Sequence, residues 1–380
     1  MSTTCKHSML LNEHQSTIDA CRFCFMCRHV CTLGVVSGKE SDTPRGKGLI
    51  LFKALRGHVE YSPALGETLY RCGLCGLCET WCKAKCTPPA AVLAARADIV
   101  AQGRSPQSVQ QIKDNLLKTG NPFGLPGKDR FKAIDTAGVV RDRAEVLYYV
   151  GCETAYQRPE IANAFLKILR QAKVDAAVVG DEHSTGKQLW LLGYRNEART
   201  MAESLLRKIR STGCRTVVTT CPSALDAFTK DYPAMGLDLS GIEFVHAAEY
   251  LDRLLADGRL KLRAAADLSV TLLDNGYLGR YHGIYDAPRR VLAKVSSAQP
   301  EMVWTREVAH SCGEAGGILR LLHPELARAM ADRVLAEASS TGASVVATTC
   351  PVTKTTLLDA QTPGPKPRDL VELAADALVG

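Results

Sequence analysis

The rhythm of apolar positions changes near residue 146. Before that point, apolar residues recur at helical spacing around two cysteine-rich stretches. Thr43-Pro44-Arg45-Gly46-Lys47-Gly48 reads as a turn, followed by a helix-like run over 49–55. Residues 90–102 and 108–118 carry helix-forming residues with apolar spacing. The stretch 120–127, rich in glycine and proline, reads as a loop or linker. Past 146, short apolar runs alternate with longer amphipathic ones. A strand over 146–150 ends at Gly151-Cys152, and a helix over 159–171 has proline at its start. A strand over 174–179, a helix over 197–210 and a strand over 216–220 follow, the last ending at Cys221-Pro222.

This alternation predicts a parallel α/β sheet. Cysteines at the carboxyl ends of its strands stand where such sheets place their sites. The plan then repeats. Strands are expected over 270–273, 303–308 and 345–349, and helices over 288–295 and 327–338. Thr219-Thr220-Cys221-Pro222 matches Thr348-Thr349-Cys350-Pro351. Two α/β lobes related by a pseudo-twofold axis are therefore expected.

At 380 residues the chain suits two or three domains, and 46% hydrophobic residues suffice for real cores. Residues 1–15 are polar, with Cys5, His7 and His14, and lack an apolar signal segment. No stretch approaches the roughly 20 apolar residues of a membrane span. A net charge of +7 fits an acidic partner or an anionic membrane face, or offsets anionic clusters inside. No nucleic-acid recognition motif accompanies it. A cytoplasmic chain, at most peripheral on the inner face of a membrane, is expected, because thiolate-bound iron belongs in a reducing compartment.

The chemistry is concentrated in two copies of one spacing. Cys21, Cys24, Cys27 and Cys31 form the first, and Cys72, Cys75, Cys78 and Cys82 the second. Three thiolates at two-residue gaps wrap one [4Fe–4S] cubane, and the fourth serves the other cube. The first cluster is therefore assigned to Cys21, Cys24, Cys27 and Cys82. The second is assigned to Cys72, Cys75, Cys78 and Cys31. A zinc knuckle or a redox dithiol uses a C-x2-C pair, but not this repeated run. Thr32 and Lys83 stand where ferredoxin runs place proline, and Cys86, one helical turn beyond Cys82, competes with it as a ligand.

Further stretches carry a resemblance: Thr43-Pro44-Arg45-Gly46, Gly120-Asn121-Pro122-Phe123-Gly124, Tyr149-Val150-Gly151-Cys152 and the run 278–289 with Leu278-Gly279-Arg280-Tyr281. With the cysteine runs they resemble the cysteine-rich (CCG) domain family. That family includes heterodisulfide reductase subunits and the iron–sulfur subunits of glycolate oxidase and anaerobic glycerol-3-phosphate dehydrogenase. The resemblance implies an α+β multidomain fold: a helical ferredoxin-like domain with two clusters over 1–143, then CCG repeats over 144–262 and 263–380. In the family, each complete repeat supplies an early cysteine, a Cys-Cys-Gly and a late Cys-Pro-x-Cys. Here Ser184-Thr185 replaces the first pair and Ala224 the last cysteine; Gly276, Ser311 and Thr353 replace three in the second repeat. No normal noncubane cluster is expected in either repeat. The remaining cysteines read as small buried apolar residues. The sharper alternative is zinc at Cys152, Cys221 and His183, or at Cys312, Cys350 and His310. Cys214 reads as structural, and Gly313-Glu314-Ala315-Gly316-Gly317 lacks the spacing of a phosphate loop.

The implied function is that of an iron–sulfur electron-transfer subunit, itself non-catalytic. A flavin-dependent dehydrogenase or oxidase would pass electrons through the two clusters to a quinone or other carrier. The alternative is a catalytic heterodisulfide reductase-type subunit acting at a CCG-bound centre.

Overall fold

The computed structural model describes residues 9–141 and 143–379; Cys5 and His7 lie outside them. The amino-terminal part is helical. Its principal helices are Gln15–Cys21, Thr32–Ser37, Pro44–Leu55, Pro63–Tyr70, Pro88–Ala101 and Gln107–Thr119. Three of them open on proline, whose fixed φ suits the first helical position. Thr43 and Ser62 cap two of these, accepting from Gly46 N at 3.0 Å and Leu65 N at 3.3 Å.

The turn expected over 43–48 is instead the first turn of Pro44–Leu55. Its glycines serve close approach. A Cβ on Gly46 would lie 1.9 Å from the Glu40 carbonyl oxygen, and one on Gly48 3.0 Å from Cys21 Sγ. Helix Pro88–Ala101 is buried on nearly every side, through apolar Ala91, Val92, Ala95 and Ile99 and the charged Arg96 and Asp98.

Two four-stranded parallel sheets follow. The first comprises β1 (Val146–Tyr149), β2 (Ala176–Ala177), β3 (Thr216–Thr219) and β4 (Glu243–His246), in spatial order β2-β1-β3-β4. Val146 pairs with Thr216, and Thr219 with His246. The second comprises β5 (Ala265–Leu272), β6 (Ser296–Ala298), β7 (Val345–Thr348) and β8 (Lys366–Asp369), in the order β6-β5-β7-β8. The two orders are the same. The strand expected over 303–308 does not form. Val303 is 82% exposed, Arg306 has φ +53°, and a short 3-10 turn covers Arg306–Val308. The edge position is taken by the polar strand β6, which carries no apolar signal.

One apolar core joins the helical part to the first sheet, through Leu69, Tyr70, Ile99, Leu147, Leu192 and Phe228. Another joins the two α/β parts, through Tyr148, Phe165, Val270, Leu292 and Leu370. Shared cores hold the cysteine loops rigidly against both repeats. Among the described residues, no helix is long and apolar enough to cross a membrane.

Candidate functional site

The two cysteine runs interleave. Cys31, Cys72, Cys75 and Cys78 line one largely apolar cavity of about 50 Å³, which Cys21 also borders, beside Lys47, Leu51 and Leu77. Cys31 caps helix Thr32–Ser37, its Sγ accepting from Gly34 N at 3.5 Å. Burial pushes its thiol up to about 12, although Lys47 pulls the other way. Burial, then the neighbouring Cys75, Cys72 and Cys31, pushes Cys78 well above the usual thiol range. Burial makes the Cys31, Cys75 and Cys78 thiols resist ionisation alone; a bound cation reverses that balance, since metal ligation deprotonates a thiol outright.

The loop that carries them is held in an uncommon conformation. Leu74 has φ +47° and Gly76 φ +78°. A Cβ on Gly76 would lie 3.3 Å from the Tyr281 ring, so glycine answers both the backbone and the packing. Two cations secure the same loop, and a third lies beside it. Arg96, fully buried, donates to the carbonyls of Leu69 at 2.9 Å and Cys72 at 2.7 Å. Arg280 donates from Nε to the Cys75 carbonyl at 2.7 Å. Lys47, 2% exposed, donates to the Asp42 carbonyl at 2.6 Å, with Cys72 and Cys31 beside it. Arg280 Nη2 is buried without a partner. These cations fit a cluster that is anionic once its thiolates are counted. Their roles were not legible in the sequence: Lys47 and Arg280 stand in or beside stretches that carry the family resemblance, and Arg96 gave no signal.

The other group gathers Cys21, Cys24, Cys27, Cys82 and Cys86. Burial, then Cys27, Cys86, Cys82 and Cys24 around it, pushes the Cys21 thiol up to about 12. Cys27 rises to about 11, chiefly by burial. Cys86 N donates to Cys82 Sγ at 3.2 Å, so both late cysteines lie against this group. Cys24 is exposed, as are its neighbours Phe23 (72%) and Phe25 (62%). Arg22 lies 4.2 Å from the Phe23 ring centroid and Arg45 5.1 Å from that of Phe25. One group therefore reaches the surface while the other is enclosed.

A family profile for the cysteine-rich domain, CCG, matches residues 146–225 and 270–357, one match on each sheet. The two α/β repeats are cysteine-rich CCG domains, and the chain is similar to proteins named as iron–sulfur oxidoreductases. It is 28% identical to a subunit of the dihydromethanophenazine:CoB–CoM heterodisulfide reductase of Methanosarcina barkeri, over 95% of this chain and 94% of that one. It is 28% identical to the "Probable iron-sulfur-binding oxidoreductase FadF" of Bacillus subtilis, over 85% of this chain and 49% of the relative. The EtfAB:quinone oxidoreductase of Syntrophomonas wolfei is 27% identical over 68% of this chain and 37% of its own length.

The CCG repeats keep their cysteines at the strand ends, and the two sets of the zinc alternative are not gathered around one point. His183 engages the Ser184 carbonyl through Nδ1 at 2.8 Å and the Ser204 hydroxyl through Nε2 at 3.1 Å. His310 engages Glu337 at 2.9 Å and stacks on Trp304. Among the described residues, no three His, Cys, Asp or Glu side chains are placed to hold a single metal ion. In the zinc alternative these imidazoles would face the thiols; in the structure they engage these other polar partners.

The thiols meet differently. Arg130 donates to Cys152 Sγ at 3.5 Å and to Glu182 at 3.1 Å, and Glu182 also accepts from Val150 N and Gly151 N, both at 2.9 Å. Cys152 lies beside Cys221. Cys221 and Cys350, one from each CCG repeat, are neighbours. Polar interaction with Cys350 holds Cys221 below the ordinary thiol range, whereas burial pushes Cys350 well above it. Cys214 is buried near the Ile209 carbonyl, as a structural residue.

Proposed function

We propose that the chain is an electron-transfer subunit carrying two [4Fe–4S] clusters. Cys21, Cys24, Cys27 and Cys82 hold the first; Cys72, Cys75, Cys78 and Cys31 hold the second. When bound, such clusters accept and release single electrons. The observation that carries the reading is that Cys31 neighbours Cys72 and Cys75 around one cavity, whereas Cys21, on the border of that cavity, neighbours Cys24, Cys27 and Cys82. It is the crossed pattern that two cubanes require.

The protein's own contribution is enclosure and charge. Arg96 and Arg280 fix the backbone of the second loop, and with Lys47 they offset negative charge there. The surface at Cys24 gives electrons an entry or exit, and Phe23 and Phe25 form a docking face beside it. The partner is a flavin-dependent dehydrogenase or oxidase, and the acceptor a quinone or other carrier. The name of the Syntrophomonas relative, EtfAB:quinone oxidoreductase, supports this pairing. The two CCG repeats buttress the clusters and dock partners. The domain limits proposed are 1–143, 144–262 and 263–380.

Anaerobic purification followed by iron and acid-labile sulfide analysis tests the reading. About eight irons per chain are expected from two cubanes. A colourless protein with zinc in place of iron refutes it. A count well above eight favours the heterodisulfide reductase-type alternative, which needs a further centre in the CCG repeats.

A further inference from the structure

Exposed apolar side chains gather at one place on the amino-terminal part. Phe23, Phe25, Met26 and Val35 all face solvent within a short stretch of chain. Soluble proteins seldom group such residues without a partner to cover them. Phe25 and Val35 line an open groove of about 440 Å³, together with Arg28, Gly34, Lys39 and Thr43. That volume lies within the range of clefts that take ligands, roughly 300–1,000 Å³.

Local chain shape makes the groove. Helix Thr32–Ser37 begins directly after Cys31 and ends on Gly38, whose φ of +64° turns the chain away. A Cβ on Gly34 would lie 2.9 Å from Thr43 Cγ2, so the floor is closed there. One on Gly38 would meet nothing within 4 Å, so that end stays open. The facing wall is the turn in which Arg28 N donates to the Phe25 carbonyl at 3.0 Å. The groove thus runs between residues that adjoin Cys27 and Cys31, one thiol assigned to each cluster.

Its charge is one-sided. Glu40 is shared between Arg28, at 3.0 Å, and Arg45, at 2.9 Å. Arg45 also lies 5.1 Å from the Phe25 ring centroid. Lys39, exposed and lining the same groove, adds a third cation. Asp42, the next acidic residue along the chain, is buried and pairs with Arg71 instead. Three cations therefore stand around one carboxylate.

We propose that the groove receives an acidic segment, carrying apolar side chains, of the electron-transfer partner. Its carboxylates meet Arg28, Lys39 and Arg45, and its apolar side chains cover Phe25 and Val35. The opposite charges steer the encounter and exclude basic segments. The inference rests on the electron-transfer reading and adds to it the chemistry of the partner. A segment seated there holds the partner beside both thiol groups.

The probe is a synthetic peptide of glutamate with leucine at every third position. Its counterparts are a lysine peptide with the same leucines and vesicles of phosphatidylglycerol. Binding to the full chain, purified anaerobically, is read by fluorescence anisotropy for the labelled peptides and by co-sedimentation for the vesicles. The glutamate peptide is expected to bind and the lysine peptide to stay free. Its affinity should fall about tenfold as salt rises from about 0.01 to 0.1 M, where the screening length shortens from roughly 30 to 10 Å. Arg28→Glu with Lys39→Glu should abolish that binding and admit the lysine peptide, with iron content unchanged. Lys261→Glu with Lys366→Glu, an equal change of charge at exposed positions elsewhere, should leave it intact. Val35→Ser should weaken the glutamate peptide without altering its salt dependence. Equal binding after the two double reversals overturns the proposal. So does failure of the glutamate peptide to bind, or vesicles that bind at the groove in its place. Iron counted on the same samples separates the two ideas. About eight irons without groove binding fault the groove alone, and groove-dependent binding to an iron-free chain faults the two-cluster reading alone.

Discussion

Arg280 in the second α/β repeat donates to the backbone carbonyl of Cys75, across 205 positions of sequence, at 2.7 Å. Tyr281, the next residue, donates to the Leu74 carbonyl at 2.8 Å. The repeat therefore grips the loop that presents three thiols to the second cavity. Arg280→Ala should remove a buried cation and its hydrogen bond, destabilising the fold by about 2 kcal/mol. It should also lower the potential of the second cluster, because a positive charge favours the reduced, more negative state. Denaturant melts and anaerobic potentiometry measure the two effects, and an unchanged potential contradicts the assigned role.

Cysteine replacement should dissect the relay. Cys24→Ser and Cys75→Ser should each lower iron by about four per chain, one cubane's complement. Electron delivery should stop in both, while the partner still reduces an artificial acceptor. Delivery at wild-type rate in either variant argues against a serial path.

The exposed aromatic face gives a separate handle. Phe23→Ala with Phe25→Ala should leave the iron content and visible spectrum intact. Partner affinity should fall about tenfold, the effect of losing an interface anchor worth roughly 1–2 kcal/mol. Calorimetric titration with the flavin-dependent partner gives the number; equal affinity moves the docking face elsewhere.

His246 makes the fold acid-sensitive. Its Nδ1 accepts from Ala248 N at 3.1 Å, capping helix Ala247–Ala256. Burial, opposed by backbone at Thr220 and Thr349 and helped by nearby His282, holds it down at about 4. Between pH 6.5 and 4 the unfolded chain takes up the proton that the folded chain refuses. Stability from this residue is thus full above pH 6.5 and is lost as pH falls towards 4, by on the order of 3 kcal/mol. His246→Asn, which retains a capping group, should flatten that part of the stability profile in urea melts.

Much of the plan was legible because it rests on local periodicity. Helix Pro159–Gln171 has the predicted bounds, and β1, β3 and β7 end within one residue of their expected limits. Strands β4 and β8 were missed, for Glu243–His246 and Lys366–Asp369 are edge strands with few apolar positions. The turn at 43–48 was misread because its glycines answer to Glu40 and Cys21, contacts with no signature along the chain.

The sequence by itself determined the two cysteine runs, the repeated α/β plan and the loss of ligating positions in the repeats, since spacing and repetition are properties of one dimension. Tertiary structure decided which thiols share a volume, that His183 and His310 turn to other partners, and that Cys221 neighbours Cys350. It also brought Lys47, Arg96 and Arg280 to one loop. Burial and charge depend on what packs alongside, and those neighbours come from distant parts of the chain.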